Sequence, residues 1–358
     1  MLRERDPGLR SRLSGTRSAE PRPPRVAPIL LSALLLSIVA VLALGVGRYD
    51  VSFPRVVQIL LAQVTGAGTD GSTEANVVAL VRLPRVLLAL LVGGGLAIAG
   101  AALQATFRNP LVSPEIIGVS AGASLGGALA LLLGLGSVLL VGSAFAFGMA
   151  ALGVLFAVTV SRHGTPMLMV VLGGVVTGSL FSALVSLVTY LADPYTELPA
   201  IVFWLLGSVA TATFAKVGIA LVPILGGTVL LLLLRWRINV LSLGDEDAAS
   251  LGVRPGVLRW VVLSASALVV AGAVAVSGVV SWVGLVIPHL ARMWVGPDHR
   301  ILLPVSFGLG AAYLIVVDTL ARSVTAGEVP LGVLTALIGA PVFLLLLRHH
   351  RDRIWDRA

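Results

Sequence analysis

The chain has no cysteine, a single lysine, and charge on only 12% of its 358 residues. Without cysteine there is neither a disulfide nor a thiolate metal site. The lysine, Lys216, follows Ala215 and precedes Val217, so the Gly-Lys-Ser/Thr signature of a phosphate-binding loop is missing. If ATP drives this protein, a partner must bind the nucleotide. A soluble domain carries roughly 25% charged residues, whereas here 57% of residues are hydrophobic. Such a composition belongs to a polytopic membrane protein. The net charge of +8 does not argue for nucleic acid, because the arginines cluster between apolar runs, where membrane topology explains them.

Crossing a bilayer takes about 20 apolar residues. The stretches Arg25–Arg48 and Arg85–Arg108 each enclose one span, and Glu115–Arg162 encloses two, broken near Gly134-Leu135-Gly136-Ser137. His163–Asp193 and Lys216–Arg235 hold one each. Between Arg259 and Arg292 the only titratable residue is His289, and that stretch fits one full helix and one short one, turning near Ser277-Gly278. Arg300–Asp318 and Glu328–Arg348 complete ten. The run over 198–213 is ambiguous, and positive charge decides it. If it does not span, both termini are cytoplasmic, with 19 of the 25 basic residues inside and 6 outside. If it spans, the split is 11 inside and 14 outside. The predicted fold is therefore an all-α integral membrane protein of about ten transmembrane helices with one short non-spanning outer helix. Residues 1–27, rich in Arg, Pro, Ser and Gly, read as a disordered basic cytoplasmic tail, 28–348 as the transmembrane domain, and 349–358 as a cytoplasmic C-terminal tail. The first apolar run is read as an uncleaved helix, since it is long and lacks a small-residue cleavage site.

Several segments have a composition beyond what spanning needs. Arg82-Leu83-Pro84-Arg85 is predicted just outside the second span as a stiff cationic lip on the external face, with Arg322 beside it; snorkelling interface arginines are the plainer reading. The second span, with Gly93-Gly94-Gly95, Gly100 and Gln104, is glycine-dense enough to be enclosed by other helices. Asn109-Pro110 and Pro114, leading to Gly118 and Gly122, enforce a turn into the third span. Between spans six and seven, Leu243-Gly244-Asp245-Glu246-Asp247-Ala248-Ala249-Ser250-Leu251-Gly252 places an acidic trio at the positive end of a short helix. Gly244 and Gly252 bracket that helix, and Ala248 with Leu251 is predicted to form one compact apolar face. Its roles are either a capped surface helix or a plug for a groove on a soluble partner. Pro288-His289 lies between the eighth and ninth spans, at an inner helix end. With no second ligand at spacing, His289 reads as a polar interfacial residue and no metal site is predicted. Asp318 is the only carboxylate inside a predicted span, with Arg322, four residues on, as its expected partner.

Together these strings resemble the FecCD family of ABC-importer permeases, over roughly residues 29–348. The carriers are Arg82-Leu83-Pro84-Arg85, Gly100 with Gln104, Asn109-Pro110-Leu111 with Pro114, Gly118 to Gly122, and Trp204 to Ser208. They continue through Leu243-Gly244 to Leu251-Gly252, Gly284 to Arg292 including Pro288-His289, Pro330 to Thr335, and Gly339 to Phe343. The resemblance implies the type II ABC importer permease fold in the plasma (inner) membrane of a bacterium. It implies as partners a second permease subunit, two cytoplasmic ABC ATPase subunits that use ATP and Mg²⁺, and an external substrate-binding protein. This chain would then be no enzyme and hold no cofactor. Arg82, Arg85 and Arg322 map to positions receiving glutamates of the binding protein. The 243–252 stretch, with Leu243, Gly244, Asp245, Glu246, Ala248, Leu251 and Gly252, maps to the coupling element seated in the ATPase. Iron-siderophore is the expected cargo, with haem, cobalamin or a molybdate-type anion as alternatives. A secondary transporter is the rival class, but Asp318 and His289 are its only candidate ion-binding groups, both predicted near helix ends.

Overall fold

The computed structural model describes residues 26–66, 71–160, 167–325 and 327–355. Of the predicted basic tail, residues 1–25 therefore lie outside the described residues. The described chain is helical with connecting turns: α1 (Ala27–Gly45), α2 (Phe53–Thr65) and α3 (Thr73–Phe107). A 3₁₀ turn (Pro114–Ile117) leads into α4 (Val119–Leu132), α5 (Ser137–Thr159) and α6 (Met167–Leu191). Then come α7 (Glu197–Leu205), α8 (Phe214–Leu233), α9 (Arg235–Leu243) and α10 (Asp245–Ser250). The last four are α11 (Pro255–Ser277), α12 (Val283–Val295), α13 (His299–Val324) and α14 (Leu331–Trp355).

Among the described residues α1, α3, α5, α6, α8, α11 and α13 are long and apolar enough to cross a membrane, and α4, α12 and α14 are shorter apolar helices. These are the ten predicted spans, with breaks where the glycines stand: Gly134 and Gly278 both adopt positive φ. The ambiguous run folds as α7, a nine-residue helix. At 1.5 Å per residue it covers about 14 Å, less than half of a hydrocarbon core of about 30 Å. Two predicted boundaries move. The second span begins at Thr73 rather than after Arg85, and the last helix runs on to Trp355 through most of the stretch read as a tail. The amphipathic helix α2, between the first two spans, has no counterpart in the sequence reading.

Burial separates centre from rim. In α3, 89% of the most apolar window is buried, against 17% in α1. Helices α8, α11, α12 and α13 enclose α3. Lipid tails are as apolar as leucine, so helices here associate through close packing and not through escape from water. The glycines of α3 supply that approach. A Cβ on Gly93 would lie 2.3 Å from the Gly310 carbonyl oxygen of α13, and one on Gly100 only 1.9 Å from that of Gly284 in α12. Backbone thus meets backbone on two sides of the central helix.

Gly100→Ala must push α12 off α3, and we expect a loss of up to about 3 kcal/mol. By contrast, a methyl at Gly142 of α5 meets nothing within 4 Å, so Gly142→Ala should be neutral or stabilise by up to about 1 kcal/mol. Thermal unfolding in detergent separates the two, and equal melting temperatures would contradict this packing.

Candidate functional site

The sequence-predicted residues gather at the two ends of α3. Arg85 and Arg108 are 23 residues apart, about 35 Å along the helix axis.

At the first end, after a single α-helical turn over Thr73–Asn76, α3 widens into a π-helical stretch over Val77–Arg82. Pro84 follows at the start of regular α-helix. Proline cannot donate to the preceding turn and its ring crowds the carbonyl four residues back, and a wider turn relieves both problems. Arg82 and Arg85 both turn into the protein, where only 4% and 5% of each is exposed. This corrects the predicted exposed lip. Arg82 donates to the carbonyls of Leu44 (2.7 Å), Gly45 (2.8 Å) and Tyr49. Arg322 donates to Ala43 O. These are carbonyls at and just beyond the C-terminus of α1, which lack intrahelical partners and form the negative end of the helix dipole. Two guanidinium groups therefore cap α1. Gly47 lies over them, where a Cβ would stand 2.6 Å from Arg82 Nη2 and 2.9 Å from Arg322 Nη1.

Arg85 holds two carboxylates. It donates to Asp318 Oδ1 at 2.6 Å and Oδ2 at 3.3 Å, and to Glu328 Oε1 at 2.9 Å and Oε2 at 3.1 Å. The expected i,i+4 pairing of Asp318 with Arg322 is present as a longer ion pair, Nε to Oδ2 at 3.8 Å, while the hydrogen bonds to Asp318 come from Arg85. That Nε is buried without a hydrogen-bond partner. Asp318 is 2% exposed, whereas the Glu328 side chain is 31% exposed. Three arginines thus share the buried Asp318, the solvent-edged Glu328 and, through Arg82, the exposed Asp50. Glu328, Gly47 and the end of α1 escaped the sequence reading, because their meeting spans more than 240 residues of chain.

At the other end, Arg108 closes α3 in the left-handed conformation, and its Nη1 lies 3.4 Å from where a Cβ on Gly244 would be. The acidic turn therefore rests on the end of the central helix. Gly244 (φ 134°) and Gly252 (φ 79°) flank α10 as expected, and the Gly252 and Val253 amides close it on Ala249 O and Ala248 O. Asp245, Glu246 and Asp247 occupy its first turn. Arg259 of α11 anchors the start, donating to Asp245 at 2.8 and 3.1 Å. The predicted Ala248–Leu251 face is corrected, for Ala248 is fully buried within the chain. The outward apolar groups are Leu243 (60% exposed) and Leu251 (55%), which flank the exposed Glu246 and Asp247. A crevice of about 390 Å³ opens beside them, lined in part by Trp236, Leu251 and Val253.

Neighbouring contacts hold this end together. Asn239 of α9 donates to Asp298 (2.6 Å) and accepts from the His299 amide (2.7 Å), tying α9 to the start of α13. Hydrogen bonds from Arg300 hold the Asp298 carboxyl down to about 2. Its stabilising contribution is complete above pH of about 4 and fades as pH falls towards 2. Gln104 donates to Leu285 O (3.3 Å) and accepts from Arg292 (3.1 Å), joining α3 to α12. Asn109 Oδ1 accepts from the Leu111 amide, making the expected turn with Pro110. Gly118 packs on α6 and Gly122 on α5, each within about van der Waals contact of backbone. Pro288 and His289 sit in the middle of α12 and not at its end, with the His289 ring 6.4 Å from that of Phe343. Among the described residues no cluster of three or more His, Asp or Glu could hold a metal ion.

A family model described as the FecCD transport family matches residues 35–349. The molybdate import system permease protein MolB of Haemophilus influenzae is 47% identical over 314 residues, covering 88% of this chain and 93% of its own. The hemin transport system permease protein HmuU of Yersinia pestis is 36% identical, covering 92% of this chain and 98% of its own. A solved ABC transporter assigned to the metal-chelate type, in an inward-facing conformation, matches with a TM-score of 0.81 at 44% identity, covering 90% of this chain and 98% of that one.

Removing one partner of a buried ion pair strands the other charge. Asp318→Ala or Arg85→Ala should therefore cost about 3–5 kcal/mol, and Glu328→Gln, at the solvent edge, about 1 kcal/mol or less. Unfolding midpoints in detergent report the difference; an Asp318→Ala variant as stable as Glu328→Gln would contradict the pairing.

Proposed function

The chain belongs to the FecCD transport family, and from that premise we propose how this ABC-importer permease docks its partners and what it carries. The carrying observation is α10: a short helix anchored from within by Ala248 and Arg259 that presents Leu243, Glu246, Asp247 and Leu251 outward. A rigid, amphipathic projection suits a groove on a soluble partner. In our reading that partner is one of two cytoplasmic ATPases, whose ATP and Mg²⁺ supply the energy, so that α10, the N-terminus and the C-terminus all face the cytoplasm of a bacterial cell. The chain contributes movement and no chemistry. A second permease, identical or related, would complete the passage.

Motion at α10 is transmitted because Arg108 and Gly244 seat it on α3, and α3 contacts backbone to backbone with α12 and α13. Closure of the ATPases on ATP would tilt the permeases towards one access state, and hydrolysis would return them. The rival ion-gradient transporter loses its best candidate, because Asp318 is already neutralised by Arg85.

The arginine end is proposed to receive the external binding protein. Arg82, Arg85 and Arg322 form a compact cationic cluster, in which Arg322 Nε has no hydrogen-bond partner. An incoming glutamate would find that donor and displace the solvent-edged Glu328 from Arg85. For cargo, the expected iron-siderophore yields first place to a molybdate-type oxyanion. The reason is the molybdate permease at 47% identity across 93% of its own length, with haem represented at 36%.

Glu246→Arg with Leu251→Arg should leave ATP hydrolysis intact and abolish uptake into proteoliposomes; normal uptake would rule out the coupling role. Glu328→Gln should tighten docking of the binding protein by up to about fivefold at low salt, and unchanged docking would count against Arg85 as a contact. Calorimetry of the cognate binding protein against molybdate, a ferric siderophore and haem should favour the oxyanion; preference for either of the others would overturn the cargo assignment.

A further inference from the structure

Helices α5 and α8 both pack on α11 but hardly touch one another. The gap between them is an open crevice of about 470 Å³ with almost wholly apolar walls. Val141 and Phe145 of α5, Ile219 and Pro223 of α8, and Leu268 and Gly272 of α11 form its sides and floor. Val138 and Val222 at its lips are 71% and 75% exposed, as expected of side chains turned to hydrocarbon. A second crevice, of about 280 Å³, shares Val141, Ala275 and Val276 with the first and lies at the ends of the same three helices. Its lining is mostly apolar but includes Ser137, Ser208, Thr211 and Lys216.

Lys216 is the only lysine in the chain. Its ammonium group donates to the Thr211 hydroxyl at 2.7 Å. Among the described residues it makes no ion pair. A partly buried cation with a neutral partner invites an anion. The depth of the parts also fits one molecule. Lys216 stands near the start of α8, and Ile219 to Pro223 lie about 5–10 Å deeper along the same helix. Ser137 and Val138–Phe145 of α5 descend in parallel.

We propose that this composite crevice binds one anionic phospholipid, its acyl chain lying between α5 and α8 and its phosphate held by Lys216 with the Ser137 and Thr211 hydroxyls. The tail loses little by leaving neighbouring tails, since both environments are apolar, so the head group sets selectivity. A phosphate bearing no compensating amine suits a lone ammonium. Hydrophilic cargo does not fit these walls. The site lies on the end of the bundle that carries the arginine cluster, and its occupancy does not depend on the docking reading.

The intact transporter, stripped of co-purified lipid and given equimolar phosphatidylglycerol and phosphatidylcholine with identical tails, tests this by native mass spectrometry. One phosphatidylglycerol should be retained with about fivefold preference, the scale of one basic residue at an anionic surface. Lys216→Gln should reduce that preference to near unity. Gly142→Phe should remove bound lipid of either type, since Gly142 lines the crevice with open space beside it. Lys216→Gln, at the rim, keeps the test readable if the bulkier variant fails to fold. Equal retention of the two lipids by the unsubstituted protein, or a preference that survives Lys216→Gln, would overturn the proposal. So would displacement of the lipid by soluble glycerol phosphate, which would mark a phosphate site without a tail.

Discussion

Everything in this molecule turns on one helix surrounded by others in a medium that offers no hydrophobic force to hold it there. Helix α3 keeps its place because its glycines let the backbones of α12 and α13 come within contact. Such contacts resist sliding, since a few tenths of an ångström of overlap already costs free energy. The helix is consequently stiff along its length. What is attached to one end shares its position with what is attached to the other. An arginine cluster and an acidic turn some 35 Å apart can then be two ends of one mechanical part.

The charges follow from that arrangement. Guanidinium groups are expensive to bury unless paired, and Arg82 and Arg322 recover part of the cost by satisfying carbonyls at the end of α1. Arg85 does so with Asp318. Of the two carboxylates on Arg85, Glu328 is the more exposed and the more readily replaced. The same residues therefore hold α1 and α13 to α3.

Much of the architecture could be read from the chain. Charge-free runs separated by arginine and glycine marked the ten principal helices, and the distribution of basic residues favoured a non-spanning 198–213, where the helix proves only nine residues long. Gly244 and Gly252 bracketed α10 because only positive φ could start and stop so short a helix there. The failures have a common cause. Periodicity and spacing describe neighbours along a helix, so they found the pair of Asp318 with Arg322 but not the hydrogen-bonded Arg85 from another helix. Ala248 and Leu251 were set on one face by spacing, whereas the loss of helix after Ser250 turns Leu251 outward and leaves Ala248 within. His289 was placed at an inner helix end, yet α12 continues to Val295 and carries Pro288 and His289 in its interior. Helix α2 was missed for another reason, since it lies outside the apolar runs by which spans were found.

An importer permease requires α10 to face the compartment that holds ATP. The absence of native cysteine makes that directly measurable with single introduced thiols and a membrane-impermeant maleimide in intact cells. Cysteine at Glu246 should stay unlabelled until the plasma membrane is opened. Cysteine at Tyr195, 91% exposed beside the non-spanning α7, should label at once. Labelling of position 246 in intact cells, with position 195 protected, would contradict the orientation and with it the coupling of this chain to an ATPase.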